Sequence, residues 1–69
     1  MKSILYIVTI SCNCTFDIGK GAVTMEHNFT GVDYNEEKAL RSAEKKAYEY
    51  KNSPYTINME VTGIKIERK

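Results

Sequence analysis

No charge of either sign is in surplus: ten basic residues oppose nine acidic ones, for a net charge of +1. Such a balance gives no long-range field, which excludes a mimic of DNA and does not demand a nucleic-acid surface. No stretch nears the roughly 20 consecutive apolar residues that cross a bilayer as a helix. Glycine-rich loops running from a strand into a helix, as a phosphate cradle requires, are missing, and the carboxylates are scattered. The two cysteines stand alone as Cys12-Asn13-Cys14, without the second pair that makes zinc ligation a strong reading. No repeat, low-complexity tract or linker divides the 69 residues, which predict one domain over 1–69. A core so small predicts a stability of roughly 3–5 kcal/mol unless a disulfide, a metal or an oligomer adds to it.

What is present is a normal complement of Ile, Val, Leu and Tyr within a 42% hydrophobic composition, enough for a folded chain. Met1-Lys2 ahead of an apolar run resembles the start of a signal peptide, and Thr9-Ile10-Ser11-Cys12 approaches a lipobox. Tyr6 and Thr9 interrupt that run, however, and it is short, so the expectation is a cytoplasmic protein that begins with a strand.

From Ile4 to Phe16 the alternation has a period of two. Ile4, Tyr6, Val8, Ile10, Cys12, Cys14 and Phe16 share one face, and Leu5, Ile7, Thr9, Ser11, Asn13 and Thr15 share the other. Asp17-Ile18-Gly19-Lys20-Gly21 is turn chemistry. A second strand follows, with Val23, Met25, His27 and Phe29 on one face, and Gly31-Val32 ends it. The short connection predicts an antiparallel hairpin in one of two registers. One sets Phe16 against Val23, Cys14 against Met25 and Cys12 against His27; the other sets Cys12 against Met25 and Ile10 against His27.

Asp33-Tyr34-Asn35-Glu36 reads as a helix start, with Asp33 as cap and Glu36 returning its bond in a capping box. The helix is expected from about Tyr34 to Lys51. Ala39, Leu40, Ala43, Ala47 and Tyr50 form its apolar stripe, and the three alanines allow a close approach to the sheet. Glu37–Arg41 and Lys45–Glu49 have the spacing of exposed ion pairs. Asn52-Ser53-Pro54 stops the helix. In the last segment Tyr55, Ile57, Met59 and Val61 share a phase, while Ile64 and Ile66 take the opposite one. Thr62-Gly63 is therefore a bulge or the turn of a terminal hairpin, which would set Val61 against Ile64 and Met59 against Ile66. The predicted fold is α+β: an antiparallel sheet of three or four strands in the order β-β-α-β, with one helix packed on one face.

Residues i and i+2 of a strand point the same way, so Cys12 and Cys14 are neighbours, and one register brings His27 opposite Cys12. These three are candidate metal ligands, but a fourth is missing, and cysteine on an apolar face more often serves as a small hydrophobe. A Cys12–Cys14 disulfide is disfavoured in a regular strand. Cys12–His27 is the single nucleophile–base pair available, yet a core-facing thiol is poorly placed for catalysis. The expectation is a chain without catalytic residues and without a cofactor.

The face away from the helix is flat and rich in uncharged hydrogen-bonding groups: Thr9, Ser11, Asn13, Thr15, Thr24, Glu26, Asn28 and Thr30, joined by Thr56, Asn58 and Glu60 of the last segment, with Leu5 and Ile7 as an apolar corner. It reads either as an ordinary solvated sheet face or as a protein-contact surface through Leu5, Ile7, Thr9, Ser11, Asn13, Thr24, Glu26 and Asn28. Lys45, Lys46, Lys51, Lys65 and Arg68 are candidate phosphate contacts, with Lys69 beside them. The element order, the length and the Lys/Asn/Ile/Tyr/Glu-rich composition resemble small accessory proteins of phages and mobile elements. Ala43 to Ile57, an alanine-bearing helix ending in Asn52-Ser53-Pro54-Tyr55 before a strand, resembles part of the type I anti-CRISPR proteins. That resemblance implies an inhibitor in the host cytoplasm that occupies a protein surface. The expected function is thus a non-catalytic binding protein acting by stoichiometric protein contact, with a homodimer as a further expectation. The alternatives are a nucleic-acid-binding domain using the helix and tail lysines, and a small Cys/His metal or thiol protein.

Overall fold

The computed structural model describes residues 3–69. The elements run β1 (Tyr6–Asp17), β2 (Ala22–Asp33), α1 (Glu36–Lys51) and β3 (Thr56–Arg68). They form a three-stranded antiparallel sheet in the order β2-β1-β3 with α1 on one face, an α+β fold as expected. The hairpin takes the first of the two registers, with Phe16 opposite Val23, Cys14 opposite Met25 and Cys12 opposite His27. Its turn uses two glycines at φ 85° (Gly19) and 139° (Gly21), backbone conformations that side chains with a Cβ rarely adopt. Asp17 closes the turn by accepting from the Gly19 N–H at 2.8 Å.

Two boundaries differ from expectation, and the open choice in the last segment is decided. Asn35, not Asp33, caps α1, its side chain accepting from the Lys38 N–H at 3.1 Å, and the helix begins at Glu36 rather than Tyr34. Asp33 instead accepts from the Asn35 N–H at 3.0 Å and turns the chain into the cap. Gly31-Val32 does not end the second strand, which pairs on to Asp33. The last segment is one strand rather than a hairpin, so Thr62-Gly63 is the bulge. Ser11 lies opposite Gly63 and Cys12 opposite Val61, which leaves Thr62 as the extra residue, its hydroxyl donating to the Ser11 carbonyl at 3.2 Å. A second irregularity lies between Thr15 and Phe16, which pair with Asn58 and Thr56. Ile57 is extra there and leaves the phase of Met59 and Val61. Thr56 lies on the helix side opposite Phe16 rather than on the polar face, and Tyr55 precedes the strand in the turn.

The core lies between α1 and the hairpin. Val8, Ile10, Cys12, Cys14 and Phe29 are buried beneath Ala39 and Ala43. Gly31 decides how closely the layers approach. A Cβ placed there would overlap the Ala39 carbonyl oxygen and lie 2.6 Å from the Ala43 nitrogen. Glycine on the strand and alanine on the helix therefore form a matched contact of small residues. Beyond it, Tyr50 stacks among Phe16, His27 and Phe29 at ring separations of 5.6, 4.9 and 5.3 Å. No helix among the described residues is long and apolar enough to cross a membrane.

Candidate functional site: an uncovered apolar strand beside the helix

Position along β3 follows from its pairing with β1. Met59, Val61, Ile64 and Ile66 lie opposite Cys14, Cys12, Ile10 and Val8, so all four share the helix side of the sheet. Directly opposed residues point to the same face, and the bulge at Thr62 brings Ile64 and Ile66 into line with Val61. The helix, however, lies across β2 and β1 and hardly meets β3. Val61 and Ile64 are each 56% exposed and Ile66 45%, although their β1 partners are buried. A groove of about 360 Å³ runs along this boundary, lined by Ile10, Ala47, Tyr48, Met59, Val61 and Ile64, with Glu44 and Lys51 at its rim. The outer backbone edge of β3 has no neighbouring strand. An apolar strip and an open strand edge thus lie side by side over most of a 13-residue strand.

The opposite face carries the polar residues named from the sequence. Thr9 pairs with Thr30 at 3.4 Å, Ser11 donates to Asn28 at 2.8 Å, and Thr15 pairs with Thr24 at 3.0 Å. These cross-strand rungs use part of the side chains' hydrogen-bonding capacity and leave lone pairs and the Asn28 amide N–H groups open to solvent. Asn13 and Glu26 lie opposite each other and are exposed. Leu5 and Ile7 are half-buried, and Val32, 51% exposed and opposite Ile7, joins their apolar corner.

Cys12 and Cys14 are free thiols with no exposed surface. Burial pushes both thiols above their ordinary range, and at Cys14 the charge of a neighbouring Cys12 thiolate would add to the rise. This is the reverse of what a nucleophile needs. His27 sits across from Cys12, but its Nε2 is 3.2 Å from the Tyr50 hydroxyl and its ring packs edge-on against Phe16. Among the described residues no three His, Cys, Asp or Glu side chains gather as metal ligands would.

The five basic candidates do not converge. Lys45, Lys46 and Lys51 are on α1, whereas Lys65, opposite Thr9, is on the far face of the sheet. Lys46 donates to the Thr30 carbonyl at 2.6 Å, and Lys65 pairs with Glu67 at 3.1 Å. Arg68, opposite Tyr6, is on the helix side at the end of β3. The bare β3 strip was not among the residues singled out from the sequence. Its signal was present in the shared face of Val61 and Ile64 that a hairpin would have produced. Compared with known proteins, the chain matches no family model, and no curated protein or solved structure is significantly similar to it.

Proposed function

We propose that this protein is a non-catalytic binding module that acts by stoichiometric contact with another protein. The contact surface is the apolar strip of β3 and the groove beside α1, in preference to the hydroxyl-rich face. The uncovered strip carries the reading: three branched aliphatic side chains each expose about half their surface beside an open strand edge. Contiguous apolar surface with a polar rim is where proteins bind proteins, and an open edge offers main-chain hydrogen bonds to a partner strand. The rim here carries one Glu and one Lys, which favours a partner of mixed charge over a polyanion. Buried thiols and a histidine engaged by tyrosine support a role without catalysis. Inhibition of a host system, as the resemblance implies, is one form such contact could take.

The test is affinity capture from a lysate of the source or host cell, comparing wild type with Ile64→Lys and Asn28→Lys at low and high salt. One protein recovered in near-equimolar amount, lost with Ile64→Lys, retained with Asn28→Lys and insensitive to salt is the expected result. Capture unaffected by Ile64→Lys, or recovery of nucleic acid with steep salt dependence, would refute the proposal.

A further inference from the structure

The β3 edge matches itself. Antiparallel pairing of two β3 strands about a two-fold axis between Thr62 and Gly63 sets Val61 against Ile64 of the second copy and Met59 against Ile66. It also sets Glu60 against Lys65, and every pair occurs twice by symmetry. In a regular strand such partners, an odd number of residues apart, would face opposite sides of the sheet. The extra residue at Thr62 cancels that mismatch, so the apolar pairs all fall on the helix side. Asn58, Glu60, Lys65 and Glu67 then fall together on the other face. A slip of two residues would place Glu60 against Glu67 of the second copy, so charge disfavours that register.

The dimensions of the single chain point the same way. Its radius of gyration is 14.2 Å, against about 11 Å for a compact chain of this length. Its accessible surface is 5268 Å², against about 4,400 Å² for a typical monomer of 7.9 kDa. The surplus, roughly 900 Å², is comparable with the about 800 Å² that one partner buries in a standard stable interface. Both outer strands have a free backbone edge, but α1 covers β2 and hardly meets β3, so at β3 the free edge runs beside the bare strip of Val61, Ile64 and Ile66.

We propose that the first occupant of the β3 edge is a second copy of this chain, giving a six-stranded sheet with both helices on one face. The two strips then form a continuous floor between the helices, walled by Tyr48 and Lys51 of each. This inference rests on the reading of β3 as a contact surface and names a partner for it. Lys65 leaves its Glu67 contact for Glu60 of the other copy as the pair forms.

Light scattering across a concentration series tests the pairing. Wild type is expected at twice the 7.9 kDa chain mass. Ile64→Lys should have the mass of one chain with an unchanged circular dichroism spectrum, because Ile64 is exposed in the single chain. Glu60→Lys should weaken dimerisation roughly tenfold or more, since it creates two like-charge pairs, and adding Lys65→Glu should restore it. The charge-swapped chain carries the test should Ile64→Lys fail to fold. A wild-type chain that stays at one chain mass overturns the proposal. So does a dimer indifferent to Ile64→Lys, or one weakened by Glu60→Lys and not rescued by the swap. A monomer that still captures a foreign protein sinks self-pairing alone, whereas a dimer that captures none sinks only the proposal of a foreign partner.

Discussion

Replacing Gly31 by alanine should be among the most damaging one-carbon changes available in this fold. The new methyl would overlap the Ala39 carbonyl oxygen and stand 2.6 Å from the Ala43 nitrogen and 2.9 Å from the Ser42 Cβ. Two of those neighbours are helix backbone, so no rotamer change relieves the clash, and α1 must move off the hairpin as a body. That movement loosens Ala39 and Ala43, both with no exposed surface, from the layer formed by Val8 and Ile10. Overpacking of this kind costs about 1–3 kcal/mol. The lower backbone entropy of alanine in the unfolded chain returns only about 0.4–1 kcal/mol. A net loss near 1.5 kcal/mol, at about 4–8 °C per kcal/mol for a domain of this size, lowers Tm by roughly 6–12 °C. The measurement is a thermal melt followed by circular dichroism, performed in the Ile64→Lys background so that self-association does not enter. Gly63→Ala is the control, because nothing lies within 4 Å of its added methyl. A Gly31→Ala chain melting within 2 °C of its parent (roughly a third of a kcal/mol by the same conversion), or a control equally destabilised, would refute this account of the helix–sheet contact.

Asn35→Ala removes the cap of α1 and should cost about 1 kcal/mol, roughly twice the effect of Asp33→Ala; equal losses in denaturant melts would mean that the cap is shared. Tyr50→Phe should lose about 1 kcal/mol with its bond to His27 while keeping the ring contacts, and Tyr50→Ala about 3 kcal/mol, as read by chemical denaturation. Above the ordinary thiol value of 9.0, Cys12 and Cys14 ionise in the unfolded chain but hold their protons in the folded one. Stability is then at full value below that pH and falls as pH rises above it. Cys14→Ala should flatten the slope, and an unchanged slope would exclude Cys14 as a source.

Much of the fold follows directly from the order of residues. Alternation assigned the faces of β1 and β2, because half-buried antiparallel strands translate burial into a period of two. The small-residue stripe of α1 foretold a close approach, and Ala39 and Ala43 are indeed buried. Gly31 was misplaced because glycine commonly ends strands; the clue to its role lay in the alanines it faces, which are remote in sequence. Asp33 and Asn35 are both good caps two residues apart. Neither local pattern could say which one the packing of Ala39 against Gly31 would select. The bulge at Ile57 has no marker at all, since an extra residue in the middle of an alternating segment changes its phase without changing its composition.

The uncovered strip was the least legible feature, because periodicity tells which side a residue faces and not whether anything lies over it. An α-helix is about 10 Å across, and neighbouring strands are about 4.8 Å apart, so one helix shields about two strands. A three-stranded sheet with a single helix must leave one strand bare on the core side. The helix is also short, since 16 residues span about 24 Å against roughly 40 Å for a 12-residue strand. That mismatch accounts for the exposure of Val23 and Met25 near the hairpin turn, 37% and 52%. These two lie on an edge strand that α1 crosses, whereas Val61, Ile64 and Ile66 lie on an edge strand that α1 hardly meets. A partner strand on β3 pairs the backbone and covers the whole apolar strip, whereas one on β2 would cover only Val23 and Met25 on that side of the sheet. The arithmetic of one helix on three strands therefore accounts for the bare strip on β3, the surface proposed for contact.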